Sequence, residues 1–264
     1  MRISTQKVII SLLVFFSSII QYSEACELKI RIMHYPPIAI KQLDNTWQGM
    51  DKDYSQLLLK HIKCSANYIE MPFSRGLRML ELGQIDMMLN MTKTAQREAL
   101  YYFIGPYRQE TLSLITHKSI PDIKNWQQLI NISGFIAIQR GVYYGKQFNN
   151  LLEKNKKFAE KLIHVAENQA RIGLVIKERA IGFFEETSYL NYQIKNNPQF
   201  TDMKVHNIII QTSPVHMAIS KKTFDLHQAQ KLQKSLEFLK SQNELINIEF
   251  KYQNSVMKNN KSTL

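Results

Sequence analysis

The chain has 264 residues, 44% hydrophobic and 21% charged, with a formal net charge of +12. That length allows one large domain or two lobes of ordinary size, each able to bury a core. The basic residues are scattered, and there is no cysteine-histidine finger, RNA-binding aromatic signature or arginine-rich helix, which argues against nucleic acid and leaves an acidic ligand or surface as the partner.

Met1 to Ala25 reads as a secretory signal, with Arg2 and Lys7 before the mostly apolar Val8 to Ile20 and small residues around Ser23-Glu24-Ala25. Its apolar core is shorter than the roughly 20 residues of a membrane-spanning helix, so cleavage before Cys26 and a periplasmic destination are expected. Glu27 to Met33 has strand character and stops at His34-Tyr35-Pro36-Pro37. From Asp53, apolar Tyr54, Leu57, Leu58 and Ile62 mark a helical face ending near Cys64. Ser65 to Met71 is a second strand. If the two strands belong to one βαβ unit, Cys26 and Cys64 begin neighbouring strands at the same sheet edge. Two cysteines in an oxidising compartment then favour a disulfide. Lipidation of Cys26 is the alternative, disfavoured by Glu24. A helix through Leu77, Leu80 and Leu82 stops at Gly83, and Gln84-Ile85-Asp86 starts a third strand that runs through Leu89.

The stretch Asn90 to Tyr107 begins where that strand ends, the place where open α/β sheets bind ligands. Asn90 and Thr92 offer polar side chains, and Arg97 offers a planar fork suited to a carboxylate. The competing reading is a helix capped by Thr94 with Arg97 in a surface ion pair. Beyond it, Thr111 to Thr116 is extended and Trp126 to Ile130 is a short helix. Gly134 to Gln139 is a strand, followed by the loop Arg140 to Gly145 and helices from Lys146 to about Asn155 and from Asn168 to Lys177. Strand Ala180 to Phe184 leads to Glu185-Glu186. Val205 to Ile210 and Val215 to Ser220 are strands, Asp225 to Lys240 is a helix, and Val256 to Leu264 is a polar tail. The alternation points to α/β. The seven histidines show no helical metal-ligand spacing, and no Gly-x-Ser-x-Gly, phosphate loop or dinucleotide fingerprint occurs.

Together, Tyr35-Pro36-Pro37, Gly49-x-Asp51-x-Asp53, Phe73 with Leu80-x-x-Gly83-x-x-Asp86, Thr92-x-Thr94-x-x-Arg97 and Gly105-Pro106-Tyr107 resemble the family 3 bacterial extracellular solute-binding proteins. The resemblance implies a type II periplasmic-binding fold, with two α/β lobes, two crossover strands and a ligand enclosed by hinge motion. It implies a first lobe of residues 26–113 and 211–255, a second of 114–210, and a tail at 256–264 after the signal at 1–25. By position it assigns the ligand's α-carboxylate to Arg97, Asn90 and Thr92, and the cover of its side chain to Tyr35 and Phe73. The α-ammonium falls to Glu186, or to Glu185 one register earlier. The family's glycine-threonine loop reads here as Gly141-Val142-Tyr143, with Tyr143 in the ligand set. Ile181 stands where a family aspartate follows Arg179. Arg75 and Arg140 are expected to add positive charge near the cleft, and Arg108, just past the Gly105-Pro106-Tyr107 turn, to face solvent. The expected protein is a monomeric receptor, not an enzyme, without cofactor or metal, that captures an amino acid or related carboxylate for an ABC transporter permease. The alternatives are a dehydratase-like enzyme on this fold and a free sensory receptor.

Overall fold

Residues 26–258 are described by the computed structural model, so the expected signal and residues 259–264 lie outside the described residues. Strand β1 (Glu27–Ile32) alternates in burial, turning Leu28, Ile30 and Ile32 inward. Helix α1 (Met50–His61) carries the chain back to β4 (Ser65–Glu70), which lies parallel to β1 with Glu27 opposite Ser65. Cys26 and Cys64 immediately precede that pair and are joined by a disulfide, their Cα atoms 4.6 Å apart. A small hairpin, β2 (Ile40–Lys41) with β3 (Trp47–Gln48), fills the connection after β1. Helix α2 (Phe73–Glu81) leads to β5 (Met87–Thr92), parallel to β1 on its other side. Helix α3 (Ala95–Leu100) then begins with the Thr94 hydroxyl accepting from the Arg97 N–H.

Two long strands follow different boundaries from those expected. Strand β6 (Tyr101–His117) runs straight through Gly105-Pro106, and β10 (Met203–Ser220) joins the two segments read as separate strands. They pair antiparallel, and Pro214 is opposite Gln109. Glycine and proline looked like breaks in the sequence. Register shifts, including one between Val215 and Met217, accommodate them within the ladder, where proline is tolerated.

The second half adds α4 (Trp126–Asn131), β7 (Ile136–Gln139), α5 (Lys146–Lys154), α6 (Lys156–Ala159), β8 (Leu162–Val165), α7 (Asn168–Ile176), β9 (Gly182–Glu186) and α8 (Thr187–Asn196). The main sheet has eight strands in the order β4-β1-β5-β10-β6-β9-β7-β8. Helix α9 (Leu226–Ser241) opens with a capping box between Asp225 and Gln228. The chain bends at Asn243, and α10 (Glu244–Lys258) continues through part of the segment expected as a tail. Leu245 and Ile248 account for this, since they pack on the same core as α9.

One core gathers Leu28, Tyr54, Leu58 and Met87 from the first part of the chain with Met217 and Leu236 from the last. The middle has its own cores, around Ile136, Phe148 and Phe184 on one face and Ile115, Phe183 and Phe200 on the other. Each fully buried leucine or phenylalanine contributes about 1.5–3 kcal/mol, which makes these packed faces the main force holding each half together.

Candidate functional site

The carboxyl ends of β1, β4, β5, β7 and β9 converge on a cavity of about 110 Å³ between the two halves. Tyr35, Phe73, Asn90, Thr92, Arg97, Tyr143, Glu185 and Glu186 all line it. Arg75 and Arg140 do not; both are exposed. On α2 the inner positions are Gly76 and Leu80, which leaves Arg75 on the outer side of the helix. Arg31, Asp51, Glu110 and Gln139 also reach the wall.

Arg97 donates from Nη1 to the Thr92 carbonyl at 2.7 Å and from Nη2 across the cleft to the Gly141 carbonyl at 2.8 Å. Gly141 has a left-handed φ of +82°, and a Cβ there would come within 2.9 Å of Leu77 Cδ1, so glycine permits this approach. Thr94 caps the helix as the simpler reading expected, but Arg97 forms no ion pair among the described residues. Burial lowers its pKa below the ordinary value, with Tyr101 and Glu110 opposing.

Arg108 overturns the expectation that it faces solvent. It is 7% exposed, because Gly105-Pro106 lies within β6 and carries Arg108 inward rather than past a turn. Its guanidinium donates to both Glu186 oxygens, at 2.7 and 3.1 Å, and also to Asn90 Oδ1. Burial disfavours its charge, but Glu186, Tyr107 and Asp51 outweigh burial and push its pKa up. Asn90 sits at a left-handed φ of 59°, which asparagine tolerates better than most residues. Its side chain accepts from Tyr107 Oη at 3.0 Å and donates to Asp51 Oδ2 at 2.6 Å.

Glu185 is held by a second buried arginine, Arg171 of α7, which was not among the sequence-based candidates. Arg171 bonds Glu185 Oε2, donates to the Phe184 carbonyl at 2.6 Å, and lies over the Phe183 ring. Tyr35 stacks on Tyr189 with centroids 4.5 Å apart and donates its hydroxyl to Glu185 at 2.6 Å. Both glutamates assigned to an ammonium therefore face the cavity already paired with arginine.

The other lining carboxyls differ. Glu110 accepts from the hydroxyls of Thr92 at 3.2 Å and Ser213 at 3.5 Å, and burial pushes it up to about 7. Burial likewise raises Asp51 to about 7, opposed by Arg108 and reinforced by Glu186. Arg31 donates to the Met71 carbonyl and to Met33 Sδ, and burial lowers its pKa to about 10 against the pull of Asp51. Among the described residues, no group of three or more histidine, cysteine or acidic side chains is arranged to hold a metal.

Two α/β lobes joined by paired crossing strands, with a polar cavity at the strand ends between them, define a type II periplasmic-binding fold. Within that class the chain belongs to the bacterial extracellular solute-binding proteins, family 3, which it matches over residues 29–255. Similar solved structures include an ancestral arginine-binding protein bound to glutamine, 19% identical with TM-score 0.73, covering 86% of this chain and 97% of that one. A histidine kinase sensor domain is 14% identical with TM-score 0.74, covering 87% and 96%. An ancestral amino-acid-binding protein, a precursor of cyclohexadienyl dehydratase, is 19% identical with TM-score 0.69, covering 86% and 94%. At such identities the likeness shows the fold alone. No curated protein matches the sequence. No helix among the described residues is long and apolar enough to cross a membrane.

Proposed function

We propose that the protein is a periplasmic receptor that captures a small carboxylate-bearing ligand, an amino acid, between its lobes. In this reading it is exported, acts as a monomer, and delivers the ligand to an ABC transporter permease. The observation that carries the reading is Arg97, a half-buried guanidinium on the cavity wall that, among the described residues, is held only by backbone carbonyls, beside the Thr92 hydroxyl. A half-buried cation without an ion-pair partner among the described residues favours a ligand carboxylate, and its fork matches two carboxylate oxygens. The cavity of about 110 Å³ suits a small solute. A thermal-shift screen of the common amino acids, dicarboxylates and short peptides tests this, with stabilisation by at least one amino acid expected. No shift with any of them would refute it.

A second reading is an enzyme on the same fold. Glu110 favours it, since a cavity carboxyl raised to about 7 is suited to general acid work near neutrality. Following each stabilising compound by NMR over hours separates the two, because a receptor returns it unchanged.

A further inference from the structure

Arg31 is a second cation of the cavity wall without an anion. It projects from β1 on the face opposite Leu28, Ile30 and Ile32, and it is half-buried. Helix α2 makes room for it. A Cβ on Gly76 would come within 3.0 Å of Arg31 Cγ, and Phe73 holds its ring centre 5.7 Å from Arg31 Cζ. Glycine is a poor residue inside a helix, and here it gives the arginine stem its passage. Nε donates to the Met71 carbonyl at 3.0 Å and Nη2 to Met33 Sδ at 3.4 Å. Nη1 has no hydrogen-bond partner among the described residues. It is open to water, since the unpartnered side-chain atoms that are shut away are Asp51 Oδ1, Arg171 Nε and His216 Nδ1.

The charges around the cavity leave Arg31 uncompensated. Glu185 and Glu186 are taken by Arg171 and Arg108, and Arg31 forms no ion pair among the described residues. Asp51 and Glu110, raised by burial to about 7, are only partly ionised at neutral pH, whereas Arg31 at about 10 stays protonated. Arg97 is the other wall cation without a carboxylate, and the two share a neighbour. Phe73 lies beside Arg31, and a Cβ on Gly141, whose carbonyl accepts from Arg97, would stand 3.7 Å from Phe73 Cδ1. Two guanidinium groups bordering one small cavity suit a solute with two anionic ends, because a charge withdrawn from water calls for a partner.

We propose that Arg31 is a specificity residue whose Nη1 receives a second carboxylate, carried on the ligand's side chain, so that the ligand class is the acidic amino acids. The inference rests on the amino-acid reading above. Arg97 serves the carboxylate that all amino acids share, and Arg31 selects among them. A dicarboxylate without an amine offers the same two groups, and the experiment separates the two sources.

The test is calorimetry at pH 7 with L-aspartate against L-asparagine, L-glutamate against L-glutamine, and succinate and glutarate. Each amide matches its acid in shape and lacks the second charge. Wild-type protein is expected to bind one of the acidic amino acids at least roughly tenfold more tightly than its amide. Arg31→Met keeps an unbranched stem beside Phe73 and should bring that ratio close to one; its melting curve is recorded first. Arg31→Lys, which keeps the charge without the fork, should lie between. In Arg97→Ala the acid and its amide should weaken alike. A wild-type amide that binds as tightly as its acid overturns the subsite and leaves the receptor reading standing. An unchanged ratio in folded Arg31→Met, or in Arg31→Lys should Arg31→Met not fold, does the same, as does an Arg97→Ala protein that loses the acid alone. Binding of succinate or glutarate but no amino acid, weakened by Arg31→Met, upholds the subsite and overturns the amino-acid reading. Binding of none of the six overturns the subsite, and the thermal-shift screen then decides the receptor reading.

Discussion

Removing Arg108 should damage the protein far more than a strand arginine normally would. Arg108→Ala takes four hydrogen bonds from Glu186 and Asn90 and leaves the Glu186 carboxylate, whose side chain is 7% exposed, without its cation. Breaking a buried pair from one side costs about 3–5 kcal/mol, against about 0–1 kcal/mol for an exposed pair. For a chain of this size that corresponds to a fall in Tm of about 6–20 °C. The pair itself is worth much less, because two charges were desolvated to make it. Arg108→Met combined with Glu186→Gln should therefore recover most of the loss. Urea unfolding of wild type, Arg108→Met, Glu186→Gln and the double variant closes the cycle, with Arg108→Ala measured alongside. If Arg108→Ala unfolds within 1 kcal/mol of wild type, or if the double variant is the least stable of the four, the account of Arg108 as a buried counter-ion is wrong.

Arg97→Ala should weaken the amino acid identified by thermal shift at least roughly tenfold with little change in Tm, and Arg97→Lys should restore only part of the affinity, since a point charge lacks the fork; calorimetry of the three proteins checks both. Cys64→Ser should destabilise the protein by about 2–4 kcal/mol in denaturant titration, as should reduction of the Cys26–Cys64 bond. The pH dependence follows from carboxyls raised on folding. Asp51 and Glu110, with ordinary values of 3.8 and 4.5, are raised by burial to about 7 in the folded protein, so between those limits the native state holds more protons than the unfolded chain. Their contribution is most favourable at low pH and is lost as pH rises towards 7, and Glu110→Gln should flatten part of that decline in ligand-free melting curves.

Much of this architecture was legible because periodicity and strand alternation are local. Leu28, Ile30 and Ile32 announce β1, Thr94 announces its helix, and the two cysteines announce the βαβ edge. The charge partners were not legible. Arg108 lies beside a Gly-Pro pair that reads as a turn in isolation, and only the ladder to β10 shows that the chain passes straight through. Arg171 sits on a helix where an arginine ordinarily faces water, and it meets Glu185 only because α7 packs on β9. A long-range ion pair leaves no spacing to read. The acidic pair itself was the available clue, since two adjacent buried glutamates require compensating cations.

The core shared by the beginning and end of the chain also fixes an order of events during synthesis. Leu28, Tyr54 and Met87 precede the middle segment in the chain, but the surfaces that cover them, Met217 and Leu236, follow it. The intervening segment contains complete cores of its own around Phe148, Phe158 and Phe184. At about 5–20 residues per second, the opening strands wait on the order of ten seconds for their partners while the middle of the chain already has what it needs to collapse. The part of the protein that is second in sequence thus has its own core to form first, and the N-terminal strands wait for Met217 and Leu236 before their shared core can close.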